Sequence, residues 1–135
     1  MSRLFEGAVV FDSEALSRAV ARDVRLTGIM AAARESLVPV VISAATVIEA
    51  TSPGSNRAAL AWTVSRLTVE PLTKNLSLRA VDLLARAGLH GHRHAIDAMV
   101  AATALAQPGR ATIYTSDPDD LASLVDGGAD VIPLR

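Results

Sequence analysis

The chain has 135 residues, half of them hydrophobic but only 3% aromatic, with 13 basic and 14 acidic residues and a net charge of −1. That length suits one compact domain, residues 1–135, with a core of Ala, Val, Leu and Ile, and it argues against general disorder and against a second domain. The lack of cysteine excludes a disulfide framework and a thiolate metal site, and the near-neutral charge excludes a molecule that attracts nucleic acid by its overall field.

The run "GAVVF" predicts a buried strand that ends at Asp12. "SEALSRAVARDV" has helical spacing at Ala15, Leu16, Ala19 and Val20, with Ser13 expected as its cap. "LTGIMAAARESL" predicts a second helix with Leu26, Ile29, Met30, Ala33 and Leu37 on one stripe. "VPVVIS" is a continuous β-branched run, hence a buried strand, and Ser43 opens the helix "AATVIEA". "TSPGSN" is the clearest loop. "RAALAWTVSRL" is helical, with Leu60, Val64 and Leu67 on one face; "TVEPL" is a short strand weakened by Pro71. "NLSLRAVDLLARAG" is a helix capped by Gly88, "LHGHRH" a polar loop, and "AIDAMVAATALAQ" a helix stopped by "PG". "ATIYT" is a strand, "SDPDD" a turn, "PDDLASLV" a helix with Pro118 near its start, and "ADVIPL" a final strand. No apolar run approaches the ~20 residues that cross a membrane. The N-terminus also lacks the features of a secretory signal, so a cytoplasmic location is expected.

Strands that alternate with helices and are apolar throughout predict an α/β fold with a parallel sheet covered on both faces. Ligands bind such sheets at the carboxyl ends of the strands. Asp12 and Asp117 both lie just beyond a strand's carboxyl end, so parallel pairing puts them on one rim. Glu49 follows "VPVVIS" by about one and a half helical turns. Asp97 stands among Ile96, Ala98, Met99 and Val100, where a solvated acid is hard to explain. Each acid has an ordinary reading of its own: strand end or helix cap for Asp12, exposed helix residue for Glu49, dipole partner for Asp97, turn or N-cap for Asp117. Their joint placement is better evidence. Clustered carboxylates need cations, and oxygen-rich, sulfur-free sets select Mg²⁺ or Mn²⁺.

In this order, "VVFDSEAL … VVISAATVIEA … HAIDAMVAATAL … TIYTSDPDDL" resembles the PIN-domain family, and most the VapC-type toxin ribonucleases of bacterial toxin–antitoxin pairs. The resemblance runs from Val9 to about Leu121. Each motif alone is weak; four in order are fairly specific. The resemblance implies a three-layer α/β/α PIN domain and a metal-dependent endoribonuclease. Its catalytic acids are Asp12, Glu49, Asp97 and Asp117, and Mg²⁺ or Mn²⁺ sits on Asp12, Asp97 and Asp117. It also implies a further acid at Asp119 or Asp120, a hydroxyl at Thr115 near substrate, a homodimer and a cognate antitoxin. Glu14 departs from the pattern, which often has a small hydroxyl residue there. Asp12→Asn, similar in size, is expected to leave the fold intact while weakening the metal site.

"HGHRH" alternates His90, His92 and His94, a spacing that suits a transition-metal clip; the plainer reading is a polar loop with Arg93 reaching substrate phosphate. Arg18, Arg22 and Arg25 form a solvated helix face or one that meets RNA or a partner. Trp62 is most simply a core or interface residue. A phosphoacceptor receiver domain would need a lysine at a late strand end, where Lys74 is not. A dinucleotide-binding domain would need a glycine-rich turn, which "FDSEAL" lacks. The non-enzyme alternative is a PIN-like module that has lost catalysis and only binds partners.

Overall fold

A computed structural model describes residues 4–135. Five strands, β1 (Val9–Phe11), β2 (Val40–Ser43), β3 (Thr68–Glu70), β4 (Thr112–Thr115) and β5 (Asp130–Pro133), form one sheet in the order β3-β2-β1-β4-β5. All four pairings are parallel. Among the described residues seven helices cover it: α1 (Ser13–Val20), α2 (Val24–Glu35), α3 (Ala44–Glu49), α4 (Arg57–Ser65), α5 (Lys74–Ala87), α6 (Gly91–Leu105) and α7 (Pro118–Val125). Among the described residues no helix is long and apolar enough to cross a membrane.

The uniformly apolar strands divide their side chains between two cores, because successive strand residues point to opposite faces. Val10, Val41 and Ile113 pack with Ala80 and Leu83 of α5, Ala98 and Val100 of α6, and Leu121 and Leu124 of α7. Val9, Phe11, Ile42 and Tyr114 pack with Ala15 and Leu16 of α1 and Leu26, Ile29 and Ala33 of α2. The result is the three-layer α/β/α arrangement expected from the sequence. The chain steps from β1 outward to β2 and β3, then returns across to β4 on the other side of β1. The reversal leaves a crevice at the carboxyl ends of β1 and β4, where α/β sheets hold their ligands.

Several local expectations change. The cap of α1 is Asp12, not Ser13: Asp12 is extended (φ −82°, ψ −175°) and its carboxylate accepts the Ala15 N–H, while Ser13 is already helical. The predicted helix 13–24 stops at Val20, because Arg22 turns left-handed (φ 60°) and Asp23 caps α2 through the Arg25 and Leu26 N–H groups. Leu37, assigned to the apolar stripe of α2, lies past its end with φ 60° and is exposed. "HGHRH" is not a loop. Gly91 opens α6, and the helix kinks at His94 (φ −123°, ψ 18°) before running on through Asp97. Trp62 is 55% exposed, flanked by the Arg22 and Arg66 guanidinium groups 5.7 and 5.4 Å from its ring centre. The other predicted elements stand with end shifts of a few residues, and Gly88 closes α5 in the left-handed conformation (φ 69°).

Two of the basic residues on the first helices serve the fold. Arg18 pairs with Glu14 at 3.2 Å and donates to the Leu134 carbonyl; Arg25 donates to the Pro133 carbonyl. They fasten β5 to the helical layer. Both sheet edges are short and end at a proline, Pro71 after β3 and Pro133 in β5.

Gly7 leads into β1, and a Cβ there would strike the Arg110 backbone carbonyl before β4. Gly28, in α2, has open space around it. Gly7→Ala is expected to cost about 1–3 kcal/mol through overpacking. Gly28→Ala is expected to stabilise by about 0.5–1 kcal/mol through helix propensity. Urea unfolding of both variants checks the pair; equal effects of one sign would contradict this packing.

Candidate metal centre

The rim is assembled from four elements. Asp12 follows β1 and is only 4% exposed. Its Oδ1 accepts the Ala15 N–H at 2.9 Å, and its Oδ2 accepts the Ser116 N–H at 2.8 Å and the Ser116 hydroxyl at 3.4 Å. A carboxylate this deep needs such donors. They come from the first turn of α1, where the helix dipole also favours an anion, and from the turn after β4. The strand that ends in a charge therefore ends in a clasp between two neighbouring elements.

Asp117 occupies the N-cap position of α7 but makes no side-chain cap. Its N–H donates to Thr115 Oγ1 at 2.8 Å. Thr115, expected near substrate, is fully buried, and its hydroxyl shapes this turn. The Asp117 carboxyl is raised above the usual range by burial, then by Asp12 and Asp120, while His94 opposes the shift. Asp97 lies three residues past the kink of α6. Burial, followed by the charges of Asp117, Asp120, Asp12 and Glu49, pushes its carboxyl up to about 7. Five acids thus share one field. Glu49, at the exposed end of α3, is the weakest of the neighbours acting on Asp97.

Asp120 is the acid of the α7 first turn that joins the group; Asp119 is exposed. Successive helix residues point about 100° apart, so only one of the two can face the rim. His94 joins the acids rather than the two histidines with which the sequence grouped it. Its Nδ1 lies 3.5 Å from Asp120 Oδ2, and one ligand atom from each of His94, Asp97 and Asp120 lies within 4.8 Å of the others. The clue was the spacing His94-x-x-Asp97, which puts both side chains on one helix face; reading "HGHRH" as a loop hid it. His90 and His92 are exposed, and among the described residues neither joins a group of three converging ligand atoms, so the three histidines do not form a clip. Glu14 points to Arg18 rather than into the acidic group, and Arg93 is exposed on the turn before the kink. One imidazole and several crowded carboxylates are a donor set that fits a divalent cation.

Among solved structures, the chain is similar to one in the crystal structure of VapBC2 from Rickettsia felis bound to a DNA fragment from their promoter. The TM-score is 0.64 at 14% identity, covering 95% of this chain and 99% of that one. The likeness is one of fold. No family model and no curated protein matches the sequence.

Two substitutions separate the roles of these acids. Asp97 takes up its proton near pH 7 when folded and near 3.8 when unfolded. The contribution of this carboxyl to stability is therefore greatest below pH 4 and is lost as pH rises through 7. In metal-free protein at pH 8, Asp97→Asn should raise stability by on the order of 1 kcal/mol after solvent screening, about 3–5 °C in Tm. That gain should vanish towards pH 4. Asp12→Asn should do the reverse, because its amide would turn a donor towards the Ala15 or Ser116 N–H. The expected loss is about 1–3 kcal/mol. Thermal melts across pH 4–8 check both; destabilisation by Asp97→Asn at pH 8 would contradict the electrostatic account.

Proposed function

We propose that this chain is a divalent-metal-dependent endoribonuclease, the toxin of a toxin–antitoxin pair, acting on RNA in the cytoplasm. The observation that carries this is the convergence on Asp97 of charge from Asp12 at the end of β1, Asp117 and Asp120 at the start of α7, and Glu49 at the end of α3. The similarity in fold to a chain of the Rickettsia felis VapBC2 structure supports the choice of a protein partner, and the choice of RNA rests on the resemblance of the four sequence motifs.

So much negative charge repels a phosphodiester. Mg²⁺ or Mn²⁺, when bound, supplies the opposing charge and makes a water more acidic. His94, Asp97, Asp117 and Asp120 offer the donor atoms. Asp12 keeps the Ser116 turn, and with it Asp117, against the end of β1. Thr115 sets the direction in which α7 leaves the sheet. Glu49 adds acidity at the outer side, and one of the carboxylates takes the proton of an attacking water. Arg93, in solvent one residue before His94, is available to a substrate phosphate.

Purified protein should cleave a mixed RNA pool in Mg²⁺ or Mn²⁺ and stop with a chelator. Asp97→Asn should lower the rate by about 100-fold or more. Asp126→Asn removes the same charge at an exposed left-handed position that asparagine tolerates, and should cleave normally. A full rate in Asp97→Asn would place the activity elsewhere. No cleavage under any metal would favour the module that only binds partners.

The assembly we propose is a homodimer joined through helices and sealed by an antitoxin segment over the acids. Helix surfaces carry the exposed apolar residues Val24, Trp62, Leu78 and Val81, whereas the sheet edges are blunted. Light scattering at about 10–50 micromolar should give twice the monomer mass. A monomer throughout that range would remove the dimer.

A further inference from the structure

We propose that His94 is a nitrogen ligand of the rim's cation and makes the site select divalent transition metals, Mn²⁺ among those tested, over Mg²⁺. This rests on the rim being a metal centre, though not on its substrate.

Three observations place the imidazole there. The kink at His94 breaks the regular spiral of α6 at the residue whose ring meets the acids (φ −123°, ψ 18°). The ring is largely enclosed, with 19% of its side chain exposed, unlike His90 and His92 in the same segment. Its Nδ1 stands 3.5 Å from Asp120 Oδ2, too far for a good hydrogen bond. Two donors on one small cation, each about 2.1 Å from it, lie about 3–4 Å apart. The distance lies within the span that two donors on one ion occupy. Asp97, on the same face of α6, completes a group within 4.8 Å.

The consequence is chemical. Mg²⁺ takes oxygen ligands and gives up water reluctantly, so an imidazole does little for it. First-row transition ions accept imidazole nitrogen readily, with affinity rising from Mn²⁺ towards Cu²⁺. Acids alone would leave Mg²⁺ and Mn²⁺ close in affinity; one nitrogen tilts the balance.

The test uses the whole chain and metals alone. Calorimetric titration of the wild type should give tighter binding of Mn²⁺ than of Mg²⁺. His94→Asn should weaken Mn²⁺ by about tenfold or more while changing Mg²⁺ by less than about threefold. Pulsed electron paramagnetic resonance of the Mn²⁺-loaded wild type should show modulation from a directly bound ¹⁴N, lost in His94→Asn and kept in His92→Asn. Circular dichroism of the metal-free variants confirms that each is folded. Should His94→Asn fail to fold, the ¹⁴N signal of the wild type against His92→Asn still decides. No ¹⁴N coupling in the wild type, or an equal loss of both metals in His94→Asn, overturns the proposal. If Asp97→Asn abolishes binding of both ions while His94→Asn leaves both unchanged, the rim is a metal centre and His94 is not its ligand. If neither ion binds the wild type, the metal centre itself falls.

Discussion

The buried Asp12 carboxylate is the constraint on which the rim depends. An anion that is 4% exposed is stable only with donors supplied by the protein, and here three groups from two elements provide them. The Ala15 N–H would be an unpaired donor of the α1 first turn, and the Ser116 N–H would be unpaired beyond β4. One side chain satisfies both. Asp12 thereby joins the central strand to the helix on one face and to the turn that carries Asp117. It adds negative charge to the crevice while most of its lone pairs are already engaged.

Around that clasp the sheet brings together groups that repel. Parallel pairing of Phe11 with Tyr114 sets the ends of β1 and β4 level, so the acids after them become neighbours. Helix α6 packs on the sheet and brings the half-buried Asp97 to the same acids. The protein tolerates this because the two apolar cores hold the elements whatever the rim prefers. Asp97 absorbs part of the strain by holding a proton to about pH 7. A site that is costly to keep charged and empty has its stability coupled to whatever cation enters it.

Much of this was legible in the residues. Continuous β-branched runs marked the inner strands, and a lone acid inside the apolar face of α6 marked Asp97. The strand-end positions of Asp12 and Asp117 followed once the sheet was read as parallel. What stayed hidden depended on tertiary geometry. Polar composition made "HGHRH" look like a loop, yet a helix with one side in solvent tolerates such a turn, and the kink that aims His94 has no signature in composition. Ser13 and Asp12 are both good caps, and only the backbone path decides between them. Asp119 and Asp120 differ by one step of helix phase. Arg18 and Arg25 read as a solvated helix face or one open to RNA or a partner; both instead reach carbonyls at the far end of the chain.

The clasp also spans 104 residues between Asp12 and Ser116. Closing a loop of that length is slow, and parallel strands with an intervening crossover form late for the same entropic reason. A ribosome adds about 5–20 residues each second, so several seconds separate the synthesis of the first acid from that of its partner turn. Over that interval the acids lie on an incomplete sheet and share no common field. The acids become neighbours only when β4 docks beside β1, so the cluster is absent from the nascent chain by topology alone.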